Sequence, residues 1–227
     1  YGYARQDRKA AAREPITAKL VANLMTVAGI DRTITIDLHQ GQIQGFFDSP
    51  VDPLTALSIF ADYFRSKNFD TDRLCVVSPD VGRAKAAKKL CDMLHADLAI
   101  MHKGRPGHNK AEITALIGDV QGKICIVNDD IIDTAGTLCA AVATLKEKGA
   151  DKVYVCASHP VFSGPAYERL ENSQIDEVVV CNTIPVPQER QTGKIRVISV
   201  APLLANAINN VYSNESVASL FDPDFAL

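Results

Sequence analysis

The sequence lacks several features that would have placed it quickly. It has no surplus of positive charge: 24 Lys and Arg stand against 27 Asp and Glu, for a formal net charge of −3. With acids and bases interspersed, no basic face is implied, which argues against nucleic acid as a partner. No apolar run approaches the roughly 20 residues needed to cross a bilayer. The six cysteines, Cys75, Cys91, Cys125, Cys139, Cys156 and Cys181, include no C-x-x-C pair, so no cysteine metal or redox signature is present. Buried thiols in a reducing cytosol account for them. Internal repeats and low-complexity tracts are missing, which excludes solenoids and flexible linkers. Tyr1-Gly2-Tyr3-Ala4-Arg5 is not a signal peptide. The chain also starts without Met inside a patterned segment, which predicts a piece of a longer protein.

What is present is a chain of 227 residues, 47% hydrophobic and 22% charged. That composition builds a buried core, and the length suits one large domain or two small ones. Short apolar runs at 33–38, 74–78, 98–102, 124–128, 153–158, 177–181 and 195–200 read as strands. Helical patterns occupy 15–28, 53–67, 83–94, 137–148 and 202–211, with Pro15, Pro53 and Pro202 suited to first turns. Gly29 and Gly149 fall where helix C-caps belong. Continuous apolar strands alternating with helices predict an α/β fold around a parallel sheet. Such sheets bind ligands at the carboxyl ends of their strands, so chemistry is expected just after each strand.

The strongest local signal is the run 124–138, I-C-I-V-N-D-D-I-I-D-T-A-G-T-L. A buried strand ends in Asp129 and Asp130, followed by Asp133, Thr134, Ala135, Gly136 and Thr137 ahead of a helix. Small residues let backbone N–H groups approach a ligand, and a helix N-terminus adds positive potential. The two threonines add hydroxyl donors. Together these make a monophosphate cradle with a carboxylate pair at its mouth, able to accept from sugar hydroxyls. An ordinary capped helix would share D-T-x-G-T; the preceding Asp pair separates the two. Alanine at 135 keeps the cradle small provided its φ is negative. The polar stretch 103–112, carrying Lys103 and Arg105 around Gly104, reads as a mobile lid between a strand and the next helix.

The 124–138 run resembles the PRPP-binding loop of type I phosphoribosyltransferases, apart from Asn128 in place of an apolar residue and Ala135 in place of a glycine. Four further segments narrow the resemblance to the ribose-phosphate diphosphokinase family. G-Y-A-R-Q-D-R-K at 2–9 resembles its ATP-binding signature, and D-L-H-Q-G-Q-I-Q-G-F-F-D at 37–48 one of its long blocks. V-V-S-P-D-V-G at 76–82 resembles its S-P-D-x-G turn, and H-K-G-R-P-G-H-N-K at 102–110 its catalytic loop. The resemblance covers essentially the whole chain, including 158–164, 176–185 and 199–204.

That resemblance implies a type I phosphoribosyltransferase-like α/β fold in two related units, the first incomplete. Residues 1–52 and 203–227 would belong to the first, and 53–202 to the second, which carries the PRPP loop. The implied activity is transfer of the pyrophosphoryl group of ATP to the 1-hydroxyl of ribose 5-phosphate, with Mg2+. Lys103 and Arg105 would be catalytic. Arg5, Gln6, Arg8, Lys9 and His39 would bind ATP, and His39 and Asp80 the metal. Asp129, Asp130, Asp133, Thr134, Ala135, Gly136 and Thr137 would bind ribose 5-phosphate. Gln44, Asp52 and Ser216 would form a phosphate-responsive regulatory site, with Gly41, Pro53 and Ala218 departing from that class. A cytoplasmic homo-oligomer, a hexamer built from dimers, is also implied. The rivals are a purine or pyrimidine phosphoribosyltransferase and a non-catalytic regulatory relative.

Overall fold

A computed structural model describes residues 3–9, 11–104, 112–191 and 193–220. The chain divides into two compact units, Tyr1–Thr55 with Ala201–Leu227, and Ala56–Val200.

The second unit is a seven-stranded sheet. Its strands are β3 (Leu74–Ser78), β4 (Asp97–Gly104), β5 (Glu112–Ile117), β6 (Ile124–Ile132), β7 (Lys152–Pro160), β8 (Glu177–Cys181) and β9 (Ile195–Ile198). They lie in the order β5-β4-β3-β6-β7-β8-β9. The β4–β5 pairing is antiparallel and the others are parallel. Six of its strands are the apolar runs foreseen and β5 was not foreseen; every residue of β3 is buried, as are the last four of β8. Cys75, Cys125, Cys156 and Cys181 are fully buried on these strands, and none of the six cysteines is in a disulfide.

Helices α2 (Leu57–Ser66), α3 (Ala84–Leu94), α4 (Gly136–Glu147) and α5 (Ala166–Glu171) belong to this unit. The main core joins Val77, Val127, Val155 and Val180 of the sheet to Leu138, Val142 and Leu145 of α4 and Leu170 of α5. Gly149 has φ +89, and Ala150 N–H returns to Leu145 O at 3.0 Å. This is the left-handed stop expected after α4.

The first unit holds α1 (Thr17–Val27), a 3-10 turn (Gly41–Phe46), a parallel pair of β1 (Thr33–Ile36) and β2 (Val51–Leu54), and α6 (Ala201–Tyr212). Ala22, Ile43 and Phe47 form its small core. Gly29, at φ +94, closes α1 as expected.

Three expectations are corrected. Pro53 does not open a helix: it lies in β2 opposite Thr35. A two-stranded sheet consists of edge strands, where proline's missing N–H is tolerated. Pro15 precedes the N-cap Ile16 and so falls just outside α1, whereas Pro202 does occupy the first turn of α6. The stretch 103–112 leads into a strand, not a helix, since its described flanks are the antiparallel β4 and β5.

Candidate functional site

From β3 the chain moves outward to β4 and β5, then crosses back to β6 on the other side of β3. The strand order therefore reverses between β3 and β6, and crevices at such switch points are the usual ligand sites of open α/β sheets. Three of the predicted segments end there. The Asp80 turn follows β3, the carboxylate pair is carried by β6, and Lys103 lies at the end of β4 beside β3. Arg105 lies outside the described residues.

Local chemistry shapes the Asp80 turn. The Asp80 carboxylate accepts from Arg83 N–H at 3.1 Å, and Ser78 donates its hydroxyl to Asp80 O at 2.6 Å. A Cβ at Gly82 would meet Asp80 Oδ1 at 3.2 Å, so glycine leaves room for this carboxylate. The arrangement also brings in a residue the sequence reading missed. Arg83 Nε is 4.0 Å from Asp130 Oδ1, with the two side chains 16% and 4% exposed. A cation three residues beyond Asp80 was visible in the sequence, but its partner on β6 was not.

β6 is longer than foreseen. It runs to Ile132, paired with β7 as far as Pro160, so Asp129 and Asp130 lie within the strand and not after it. Asp130 is buried and donates its N–H to Asp129 Oδ1 at 2.9 Å. Burial pushes the Asp129 carboxyl up to about 7, and neighbouring Asp130 adds to the rise; Arg83 and the Asp130 N–H oppose it. Two carboxylates this close, facing one cation, hold a proton near neutrality unless cations or sugar hydroxyls compensate them.

Between β6 and α4 the cradle residues follow one another in a tight turn. Ala135 is the N-cap of α4, with no side-chain cap and no acidic residue in the first turn. The sequence reading made the cradle depend on a negative φ at 135, and that condition is not met: Ala135 has φ +59. The turn requires the left-handed region there, which glycine enters without strain and alanine only at a cost. Asp133 accepts from the Ser163 hydroxyl, and Thr134 O accepts from Arg169 Nη1 at 2.9 Å. A groove of ≈ 580 Å3 opens elsewhere, between α4 and α5, lined by Cys139, Pro165, Glu168 and Arg169 among others.

In the first unit the segment 5–9 is anchored by its backbone and by Asp7. Gln6 N–H bonds Tyr3 O at 2.9 Å, and Ala18 N–H bonds Gln6 O at 3.1 Å. Gln42 donates to the buried Asp7 at 3.1 Å. This leaves the side chains of Arg5, Gln6, Arg8 and Lys9 exposed, and His39 half-buried beyond β1. Asp52 is buried and held by Arg32, Nε at 2.5 Å and Nη2 at 3.0 Å, a partner the sequence reading did not foresee. Gln44 is exposed in the 3-10 turn, and the Ser216 hydroxyl accepts from Ala218 N–H at 3.1 Å. Among the described residues no group of three or more His, Cys, Asp or Glu is placed to hold a metal.

Residues 1–29 match the model of the N-terminal domain of ribose phosphate pyrophosphokinase, and residues 103–222 that of the phosphoribosyl synthetase-associated domain. The ribose-phosphate pyrophosphokinase 1 of Listeria innocua is 54% identical over 222 residues, covering 98% of this chain and 70% of that protein. The chain belongs to the ribose-phosphate pyrophosphokinase family. The ribose-phosphate pyrophosphokinase of Bacillus caldolyticus is 55% identical over 222 residues, with the same coverage of 98% and 70%. Among solved structures, the phosphoribosylpyrophosphate synthetase of Mycobacterium smegmatis matches with a TM-score of 0.86 at 45% identity. That match covers 94% of this chain and 70% of the other. The α/β fold with a parallel-dominated sheet is thus the fold of the pyrophosphokinase family, as the resemblance implied.

Proposed function

We infer that the carboxyl edge of the seven-stranded sheet binds ribose 5-phosphate, and that the protein transfers the pyrophosphoryl group of ATP to its 1-hydroxyl, giving PRPP and AMP. The observation that carries this reading is the Asp129–Asp130 pair leading into an uncapped helix start at the switch point of the sheet, in a chain of this family. In the reaction the 1-hydroxyl oxygen attacks the β-phosphorus, the bond from that phosphorus to the α,β-bridging oxygen breaks, and AMP leaves. The hydroxyl proton passes to solvent; no side chain is assigned to take it. Such chemistry needs positioning and charge neutralisation more than covalent help.

Asp133, Thr134, Ala135, Gly136 and Thr137 would hold the 5-phosphate through backbone N–H groups, hydroxyls and the start of α4. Asp129 and Asp130 would accept from the ribose hydroxyls. Lys103 and Arg105 would neutralise the transferring group. Arg5, Gln6, Arg8, Lys9 and His39 would bind ATP. Asp80 and His39 would hold Mg2+, which supplies charge compensation to the phosphates. A half-buried carboxylate at a strand end fits that ion, which takes one or two carboxylates plus phosphate oxygens and waters and not an all-protein cage.

The test is AMP and PRPP release by the full-length protein from ATP and ribose 5-phosphate. A phosphoribosyltransferase, which needs PRPP and a base, would release no AMP from ATP and ribose 5-phosphate alone, and a non-catalytic relative would release nothing.

Regulation by phosphate at Gln44, Asp52 and Ser216, and assembly into a homo-oligomer, a hexamer built from dimers, belong to the same reading. A buried Asp52 neutralised by Arg32 braces that part of the fold, so anion binding there would fall to Gln44, Ser216 and a second copy of the chain. Activity with and without phosphate at fixed ionic strength tests regulation, and phosphate-independent activity would remove it. Sedimentation of the full-length protein tests assembly.

A further inference from the structure

The segment from the end of β7 into α5 runs beside the chain that leaves β6. It touches the loop between β6 and α4 at successive points. Phe162 N–H donates to Ile132 O at 3.0 Å, and Ser163 N–H donates to Asp133 O at 3.1 Å. Arg169 Nη1 donates to Thr134 O at 2.9 Å. Three consecutive carbonyls, from the last residue of β6 into the loop, are thus taken up by one neighbouring segment. The Ser163 hydroxyl also donates to the Asp133 carboxylate. A Cβ at Gly136 would stand 3.0 Å from Arg169 Nη1, so the guanidinium lies against the start of α4.

A loop that binds an anion through N–H groups gains when its carbonyls and carboxylates are engaged elsewhere, since either would repel the anion. The three carbonyls and the Asp133 carboxylate are the groups the β7–α5 segment takes up. Arg169 also brings a positive charge to the loop. It is exposed, so its bond to Thr134 adds little to global stability; its effect is local to the loop.

We propose that Arg169 is a positioning residue for ribose 5-phosphate, holding the Thr134 carbonyl, with Ser163 holding Asp133, so that the loop presents N–H groups to the 5-phosphate. The proposal rests on the function inferred above. Arg169→Met keeps the aliphatic stem and removes the donors and the charge. In the full-length protein it should weaken ribose 5-phosphate binding, measured by calorimetry without ATP, by about 10-fold. Arg169→Lys, which keeps the charge without the planar fork, should recover to within about 3-fold of wild type. Ser163→Ala should weaken ribose 5-phosphate by about 3-fold or more. The KM for ATP should change by less than about 2-fold in all three, with the melting temperature within about 2 °C.

Unchanged ribose 5-phosphate affinity in a folded Arg169→Met protein overturns the proposal. So does an equal loss for both substrates together with a lowered melting temperature, the sign of a merely structural residue. A wild-type protein that binds ribose 5-phosphate but releases no AMP overturns the inferred reaction and leaves the positioning result standing. A wild type that neither binds ribose 5-phosphate nor releases AMP sinks both.

Discussion

Replacing Arg83 by Met should make stability depend on pH across a wider window, and the size follows from one ion pair. Arg83 Nε and Asp130 Oδ1 are 4.0 Å apart with both side chains largely shielded. At an effective dielectric constant of about 20, two charges at that distance interact by about 4 kcal/mol, which sets a ceiling near 3 pK units. Partial exposure and sharing with Asp129 reduce this, and an upward shift of at least about 1 unit is expected. The Asp129 carboxyl already stands at about 7 in the folded protein against a usual 3.8. The folded state therefore binds more protons than the unfolded state between those values. The stability this group contributes is complete below about 4 and is lost as pH rises to about 7. Without Arg83 the pair keeps its proton longer, and the falling limb extends to about 8 or beyond. Urea unfolding of the metal-free protein from pH 5 to 9 reads this directly. The lost packing of the arginine stem gives a constant offset between wild type and variant. The charge effect adds a gap that grows above pH 7 by up to about 1.4 kcal/mol per unit. A gap independent of pH would refute the reasoning, as would one that persists unchanged when Asp130 is already Asn.

Asp130→Asn should weaken ribose 5-phosphate by about 1–3 kcal/mol while leaving ATP binding within error, since the lost acceptor faces the sugar hydroxyls; separate titrations of the two ligands decide, and an ATP-selective defect would contradict it. Lys103→Ala and Arg105→Ala should each lower kcat with little change in either KM, by as much as about 10³-fold on the precedent of transferable cations in phosphoryl transfer. Wild-type kcat in either variant would remove the role. Ala135→Gly should change stability by less than about 1 kcal/mol: relief of about 1–2 kcal/mol of left-handed strain is offset by about 0.4–1 kcal/mol of unfolded-state entropy and about 0.8 kcal/mol of lost methyl burial. Ala135→Val should cost more than about 2 kcal/mol, because a β-branched side chain resists that conformation; thermal melts of both variants check the pair.

The central strands were legible because a sheet covered on both faces writes itself as unbroken apolar runs, as in Leu74–Ser78 and Glu177–Cys181, whose ends match the sequence reading. β5 was not legible. It pairs through β4 alone at the sheet edge and begins next to a polar stretch that was expected to lead into a helix, so the short run I-T-A-L-I at 113–117 was passed over although Gly118-Asp119 bounds it. β2 was misread because proline favours two places, a helix start and an edge strand, and the sequence does not say which. At the site, residue types were readable where their chemistry is local: the carboxylate pair, the small residues, the threonines. Arg83 and Arg169 were invisible in their roles because each acts on a group far along the chain, and only the sheet order brings β3, β6 and the end of β7 together.

The loop's two small residues are small for different reasons, and the sequence pattern alone merges them. At 135 the constraint is backbone: φ +59 calls for a residue that tolerates the left-handed region, and a methyl group can be accommodated because it is buried in the main core. At 136 the backbone is not left-handed, and the constraint is space, because any Cβ would crowd Arg169 Nη1 at 3.0 Å. The strain at 135 is relieved by substituting that residue alone, whereas the crowding at 136 involves a side chain on another helix. Ala-Gly and Gly-Ala are therefore not equivalent at these positions although both satisfy a rule of small residues. The first keeps the guanidinium on the Thr134 carbonyl at the expense of strain. The second removes the strain and displaces the guanidinium. A chain that has alanine at 135 and glycine at 136 keeps the Arg169 contact, and the left-handed alanine is close to neutral for stability because its buried methyl and the stiffer unfolded chain offset the strain.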